Sequence, residues 1–302
     1  KGLTCSFLFL TIPCHGTTDQ GIERDLAKAS GTVDMKPSGI ITLTTDFGLS
    51  DPYVAMMKGV ILSINPSARL VDVTHQIGTG SISQAALMIH ETFPFFPEGT
   101  VHVAVVDPGV GSNRRLLALE AADHFFVGPD NGLFWPVFRD FEGAKAVQLT
   151  QSRYFLQSIT PTFHGREIFA PVAAHLSLGL SLPSLGPAVR DLTKLTTPQP
   201  RIEAGVLCGE IIRTDHFGNL VTNISGKELT NFLQSASPRI EAGKLVIRKL
   251  NRIYADCEEG EPLALINSSG LLEIAVNLGR ASEYIGLNNG EIVGALVQVR
   301  RA

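Results

Sequence analysis

Two apolar, β-branched runs that each end on an aspartate constrain this chain most. Ile40-Ile41-Thr42-Leu43-Thr44-Thr45 leads into Asp46-Phe47-Gly48, and Val101 to Val106 leads into Asp107-Pro108-Gly109. Runs of this kind form buried strands. Between them, Val54, Met57, Ile61 and Leu62 recur at helical spacing up to an Asn65-Pro66 stop, with Asp51 and Pro52 placed as cap and first helical residue. Leu70 to Val73 reads as a short strand, and Ser83 to Phe93 as a helix closed by Pro94. Further on, Leu116 to Glu120 and His124 to Val127 read as a strand pair, and Ile168 to Leu178 as a helix with Pro171 in its first turn. This alternation predicts an α/β sandwich domain with a largely parallel sheet. In open sheets of that class ligands bind beyond the carboxyl ends of the strands. Asp46 and Asp107 are therefore predicted at the same edge.

The pattern changes near residue 190. Thr196-Thr197-Pro198-Gln199-Pro200 has the composition of a linker. After it come short β-patterned runs: Gly205 to Thr214, Lys244 to Leu250, Pro262 to Asn267, Leu271 to Val276 and Ile292 to Val299. Turn residues separate them, which predicts a smaller antiparallel β domain. The expected organisation is a tail over 1–38, an N-terminal α/β domain over 39–195 and a C-terminal β domain over 204–302.

Composition narrows the function. With 302 residues, 44% of them hydrophobic and 18% charged, the chain can bury two cores. A net charge of -4 lacks the basic footprint of a nucleic-acid binder. No stretch of about twenty apolar residues offers a membrane span. Cys5, Cys14, Cys208 and Cys257 form no CxxC pair and no zinc-ligand spacing, so they read as unpaired thiols. Lys1, the apolar stretch Leu3 to Ile12 and Pro13 resemble the end of an export signal. A cytoplasmic enzyme is expected, with export through this segment as the alternative.

Four segments can carry chemistry. Asp107-Pro108-Gly109-Val110-Gly111-Ser112-Asn113-Arg114 sets an acid and an arginine at opposite ends of a glycine-containing loop. It lacks the Lys and Ser/Thr of a phosphate loop. Its bland alternative is a structural turn with a surface ion pair. Phe163-His164-Gly165 places a titratable ring just before a helix, though a lone histidine is more often structural. Asp46 can accept from both hydroxyls of a vicinal diol. Asp215-His216-Phe217-Gly218-Asn219 is either an ordinary hairpin turn or a stacking face flanked by polar groups.

Taken in order, ITLTTDFGLSDPYVAMMKG, VHVAVVDPGVGSNRR, GPDNGLF, TFHGREIFAPVAAHL, DHFGNLVTNI and LINSSGLLEIAVN resemble the S-adenosylmethionine (SAM) hydroxide adenosyltransferase family, the hydrolytic relatives of fluorinases and chlorinases. The resemblance runs from about Gly39 to the C-terminus. It implies an α/β domain joined to a smaller β domain, and homotrimers binding SAM between the N-terminal domain of one subunit and the C-terminal domain of the next. By motif it assigns Asp107, Arg114 and His164 to the attacking water and Asp46 to the ribose hydroxyls. Asp51 and Asp215 fall near the methionine amino group, Phe217, Asn219 and Tyr254 at adenine, and Ser268 and Ser269 at the methionine end. The implied reaction turns SAM and water into adenosine and methionine, with SAM as substrate and neither metal nor cofactor required. Either Asp107 or His164 takes the water's proton. In halide-using relatives an aromatic residue occupies the Asp107 position, and a carboxylate there would repel a halide by about 4 kcal/mol at 4 Å. The competing expectations are a SAM-dependent halogenase, a non-catalytic SAM- or adenosine-binding module, and a metal-dependent phosphoesterase built on Asp46, Asp107 and His164.

Overall fold

The computed structural model describes residues 35–302. The signal-like segment, with Cys5 and Cys14, lies outside the described residues. Residues 37–302 pack as one compact unit, and the strands described in it form two sheets.

The first sheet runs β2-β1-β3-β5-β4-β6-β7. Its strands are β1 (Ile40–Thr45), β2 (Arg69–Thr74), β3 (Val101–Val105), β4 (Leu116–Ala121), β5 (His124–Pro129), β6 (Lys145–Gln148) and β7 (Ala188–Val189). Pairing is parallel from β2 through β1 and β3 to β5. It turns antiparallel across β4, β6 and β7, because β4 and β5 are joined by a tight hairpin while β1 to β3 are joined through helices. The parallel half positions the site: Thr45 pairs with Val105, so the two strands end level with each other.

Helices α1 (Tyr53–Ile64), α2 (Ile82–Thr92), α3 (Trp135–Asp140) and α4 (Ala170–Ser177) cover this sheet. The spacing read for α1 holds at Val54, Met57 and Ile61, which are buried, while Leu62 is exposed. Its start differs from expectation. The capping position is Pro52, with no side-chain cap, and Asp51 stands exposed before it. The first helical residue is Tyr53, one later than expected, so Asp51 stands outside the capping position. Helices α1 and α4 pack together, and α4 lies across β1 and β3. On the face carrying Ala104, Val106, Leu119 and Phe126, a second core closes over Ala85, Ile89 and Phe93.

The second sheet is antiparallel, in the order β12-β11-β15-β9-β10-β14-β13, with β8 on β9; β8 is Arg201–Glu203, β11 Pro238–Ala242 and β12 Leu245–Ile247. Its other strands are β9 (Val206–Thr214), β10 (Leu220–Ser225), β14 (Leu271–Val276), β15 (Leu296–Arg301) and, at the edge, β13 (Pro262–Ile266). This matches the expected β half with two corrections. Ile292 closes a one-turn helix, Asn289–Ile292, rather than opening the last strand. An unanticipated helix, α5 (Gly226–Leu233), packs Leu229, Phe232 and Leu233 onto the sheet. Ser225 accepts from the Glu228 amide while Glu228 reaches back to the Ser225 amide, a reciprocal cap that starts α5. Cys208 and Cys257 are free thiols, and no helix among the described residues is long and apolar enough to cross a membrane.

Candidate active site

Asp46 directly follows β1, and Asp107 lies two residues beyond β3. The parallel register therefore sets both acids at one edge, as the strand pattern predicted. Beyond β3 the chain curls through successive turns. The Val110 amide donates to the Asp107 carbonyl at 3.1 Å, and the Ser112 amide donates to the Gly109 carbonyl at 3.1 Å. Gly111 makes this possible: its φ is +79°, and a Cβ there would stand 2.4 Å from the Pro161 carbonyl oxygen. Only glycine fits, so the loop is pressed against residues 160–164.

The curl returns Arg114 to Asp107. Arg114 Nε donates to Asp107 Oδ1 at 2.6 Å, and Nη2 donates to Oδ2. The same Nη2 lies 3.1 Å from His164 Nδ1. The Asp107 and Arg114 side chains are 4% and 9% exposed, so this fork is shielded from solvent and stronger than a surface pair. Arg114 Nη1 is buried without a hydrogen-bond partner among the described residues, a donor left unsatisfied next to Asp107.

His164 begins a π-helical turn, Gly165–Phe169, that runs into α4. Such wide turns recur at functional sites because they re-aim side chains. Desolvation, then the Arg114 charge, push the His164 imidazole below its ordinary pKa, against smaller opposing effects of Asp107 and Glu167. The ring is neutral near pH 7. A guanidinium only donates, so Nδ1 is the acceptor and the ring proton sits on Nε2. Beneath the turn, buried Glu167 accepts from the Thr160 amide at 2.6 Å and from Arg166, which pins the loop facing Gly111.

A cavity of about 230 Å³ adjoins this group, lined by Asp46, Phe47, Thr79, Gly80, Asp107 and His164 among others. Asp46 Oδ2 accepts from the Gly80 amide at 2.8 Å. A buried histidine absent from the sequence expectations braces the Asp46 turn. His75 Nδ1 meets Thr45 Oγ1 at 2.9 Å, and the His75 carbonyl accepts from the Gly48 amide at 2.8 Å. His75 Nε2 in turn lies 3.0 Å from Asp72, which pairs with Lys58 at 2.6 Å. Arg115, next to the site arginine, is diverted: it binds Asp130 at 2.7 Å and Asp191 at 2.8 Å.

None of the remaining expected residues lines that cavity: Asp51 stands exposed before α1, and the others lie on the second sheet. Asp215, Phe217 and Asn219 form the β9–β10 turn. Asp215 Oδ1 accepts from the Asn219 amide at 2.8 Å and Oδ2 from the Asn219 side chain at 3.1 Å. This is the hairpin turn of the bland alternative, and it also presents Phe217 at 70% exposure. Gly218, at φ +87°, fits because a Cβ would stand 2.7 Å from Arg280 Cβ. Tyr254 donates to Glu273 at 2.8 Å, and burial, then Glu273, then Asp215 push its phenol up to about 12. Ser268 and Ser269 are exposed in the β13–β14 turn. The structure thus brings Asp107, Arg114, His164 and Asp46 together, holds the second-sheet residues in a separate group, and leaves Asp51 outside both, before α1.

Known proteins match along nearly the whole described chain. Residues 41–186 match the model of the SAM hydroxide adenosyltransferase N-terminal domain, and residues 209–294 that of its C-terminal domain. A relative from Salinispora tropica, named (R)-S-adenosyl-L-methionine hydrolase, is 40% identical over 260 residues, covering 85% of this chain and 97% of that protein. A fluorinase from an Actinoplanes species is 32% identical over 270 residues, covering 79% of this chain and 91% of its own length. The crystal structure of an uncharacterized conserved protein from Thermotoga maritima superposes with a TM-score of 0.80 at 34% identity, covering 86% of this chain and all (100%) of that one.

Proposed function

The chain belongs to the SAM hydroxide adenosyltransferase family, and on that premise we propose that it hydrolyses SAM to adenosine and methionine at the Asp107–Arg114–His164 group. The observation that carries this assignment is the bridging guanidinium: Arg114 holds Asp107 and His164 at once, beside a cavity that Asp46 lines.

The substrate's own chemistry sets the demands. Its sulfonium leaves the ribose 5′-carbon as a neutral thioether, so departure needs no acid. What is needed is a water in line with the C–S bond, losing a proton as it attacks. The water oxygen bonds to C5′, the C–S pair stays on sulfur as methionine, and the proton passes to the enzyme. His164 Nδ1 is taken by Arg114 and Nε2 carries the ring proton, so the imidazole orients the water as a donor. Asp107 is the proton acceptor through the lone pairs Arg114 leaves free. The unpartnered Arg114 Nη1 stabilises hydroxide character on the oxygen. The Asp107–Arg114 pairing also offsets much of the repulsion a lone carboxylate would exert on a halide. The preference for water over halide therefore rests on the oriented donors and on resemblance to the hydrolases.

In this reading residues 39–195 and 204–302 are two domains, and a second copy completes the site. A cavity of about 230 Å³ lies below the usual range of ligand pockets, roughly 300–1,000 Å³. Asp46 holds the ribose diol. Asp51 and Asp215 face the methionine ammonium, Phe217, Asn219 and Tyr254 face adenine, and Ser268 and Ser269 face the methionine end, with the C-terminal groups supplied by the neighbour in a homotrimer. Sedimentation at three times the chain mass is the expected result. A cytosolic enzyme would meet SAM where it is made, and the mass of the mature N-terminus tests this against export. No cofactor takes part, so activity survives a chelator.

The decisive experiment is turnover of SAM in oxygen-18 water. Label in the adenosine 5′-hydroxyl is expected. Chlorinated adenosine formed at a matching rate in chloride, or SAM bound without product, would overturn the assignment.

A further inference from the structure

Strand β14 carries an acid where its neighbours are apolar. Leu272, Ile274 and Val276 face the main core of the second sheet. Glu273 lies on the other face of the strand, near Leu263, Leu265 and Ala275, and is only 4% exposed. Burying a carboxylate is costly, and apolar replacements of similar size are often neutral or stabilising. Something other than stability has to account for it.

Its two oxygens serve two separate segments. Oε1 accepts from the Tyr254 phenol at 2.8 Å, and Oε2 accepts from Asn267 Nδ2 at 3.2 Å. Asn267 cannot turn over to satisfy itself otherwise. Its Oδ1 already accepts from the Ser269 amide at 3.0 Å and the Leu271 amide at 3.1 Å, and those bonds shape the Asn267–Gly270 turn. One carboxylate therefore sets both the ring of Tyr254 and the turn that presents Ser268 and Ser269.

We infer that Glu273 is a positioning residue that locks the adenine-facing Tyr254 and the methionine-facing Ser268–Ser269 turn into a single substrate-binding unit. It touches no substrate and acts through the other two, so it tunes affinity at both ends of SAM while leaving the chemical step alone. This rests on the proposed roles of Tyr254 and the serines.

The test uses full-length enzyme and takes adenosine and methionine as separate ligands. Glu273→Met removes both acceptors while keeping an apolar fit. Losing a net hydrogen bond at each end is expected to weaken adenosine and methionine inhibition about fivefold to tenfold each. KM for SAM rises, kcat stays within about twofold and Tm is unchanged or higher, by the same reasoning on buried charge. Glu273→Gln can still accept from Asn267 and donate to the phenol oxygen, and is expected to rescue both affinities. Tyr254→Ala should weaken adenosine alone. Should Glu273→Met fold poorly, Asn267→Asp sets a like charge against Glu273 and is expected to weaken methionine most. Unchanged affinities in Glu273→Met, with adenosine weakened in Tyr254→Ala, overturn the inference and leave the site assignment standing. Unchanged adenosine affinity in Tyr254→Ala overturns the site assignment itself. A lowered Tm with KM intact would make Glu273 a purely structural residue and also overturn the inference.

Discussion

The two groups of proposed site residues are built in opposite ways. At the edge of the first sheet, Asp107 and Arg114 are almost wholly buried, at 4% and 9% side-chain exposure. Each position there is set from outside the site, by Pro161 against Gly111, by His75 behind Asp46, and by Glu167 beneath His164. On the second sheet the groups stand on turns: Phe217 is 70% exposed, Tyr254 is 45% exposed, and Ser268 and Ser269 are open. Groups that act on developing charge must be in place before reaction, because reorganising them adds to the barrier. Groups that grip the substrate can be finished on binding. The contrast suits a division of labour in which the first half performs the step and the second supplies affinity.

Breaking the first half should therefore show in kcat. Asp107→Ala is expected to lower kcat about 10²–10⁴-fold, the usual worth of a positioned base, with KM for SAM within a few-fold. A change confined to KM would erase the contrast. Asp46→Ala probes the exception, a proposed ribose contact within the buried group. Losing charge-assisted bonds to the diol should raise KM about 10–100-fold with a smaller effect on kcat.

The pH profile sharpens the comparison. His164 titrates below its ordinary value. Protonation would set two cations face to face and remove the Nδ1 acceptor, so kcat should hold through neutrality and fall on the acid side, approaching tenfold per pH unit below that pKa. Substitutions on the second sheet should leave this acid limb where it is, and a limb displaced by Phe217→Ala would show the halves to be coupled. The smallest effect is expected for Phe217→Ala itself, a rise in KM of about 2–10-fold from lost stacking, with kcat unchanged. Its measurement is a simple saturation curve.

Much of the fold could be read along the chain because strand and helix patterns are local. The runs into Asp46 and Asp107, the α1 stripe of Val54, Met57 and Ile61, and the strand at Leu271 to Val276 all appear where composition put them. Helix α5 was equally legible, since Ser225 and Glu228 stand three apart at its start, but its short amphipathic run is easily absorbed into a strand-rich stretch. Asp51 failed as a cap because Pro52 took the position. Neither His75 nor Glu273 announces a role by spacing. A single histidine after a strand and a single glutamate within one look like ordinary surface residues until their burial is known.

What the order of residues determined by itself was the pair of strand-end acids, the glycines that let a loop fold tightly, and the motif series that marks the family. Tertiary structure alone decided which of two adjacent arginines serves the site. It sends Arg114 to Asp107 and His164, and Arg115 to Asp130 and Asp191. It also set the tautomer of His164 and tied Tyr254 to Asn267 through Glu273. The physical reason is one of range. Backbone preference and hydrophobic period act over a few neighbouring residues, whereas a buried hydrogen bond is chosen by whichever distant segment packing brings within about 3 Å.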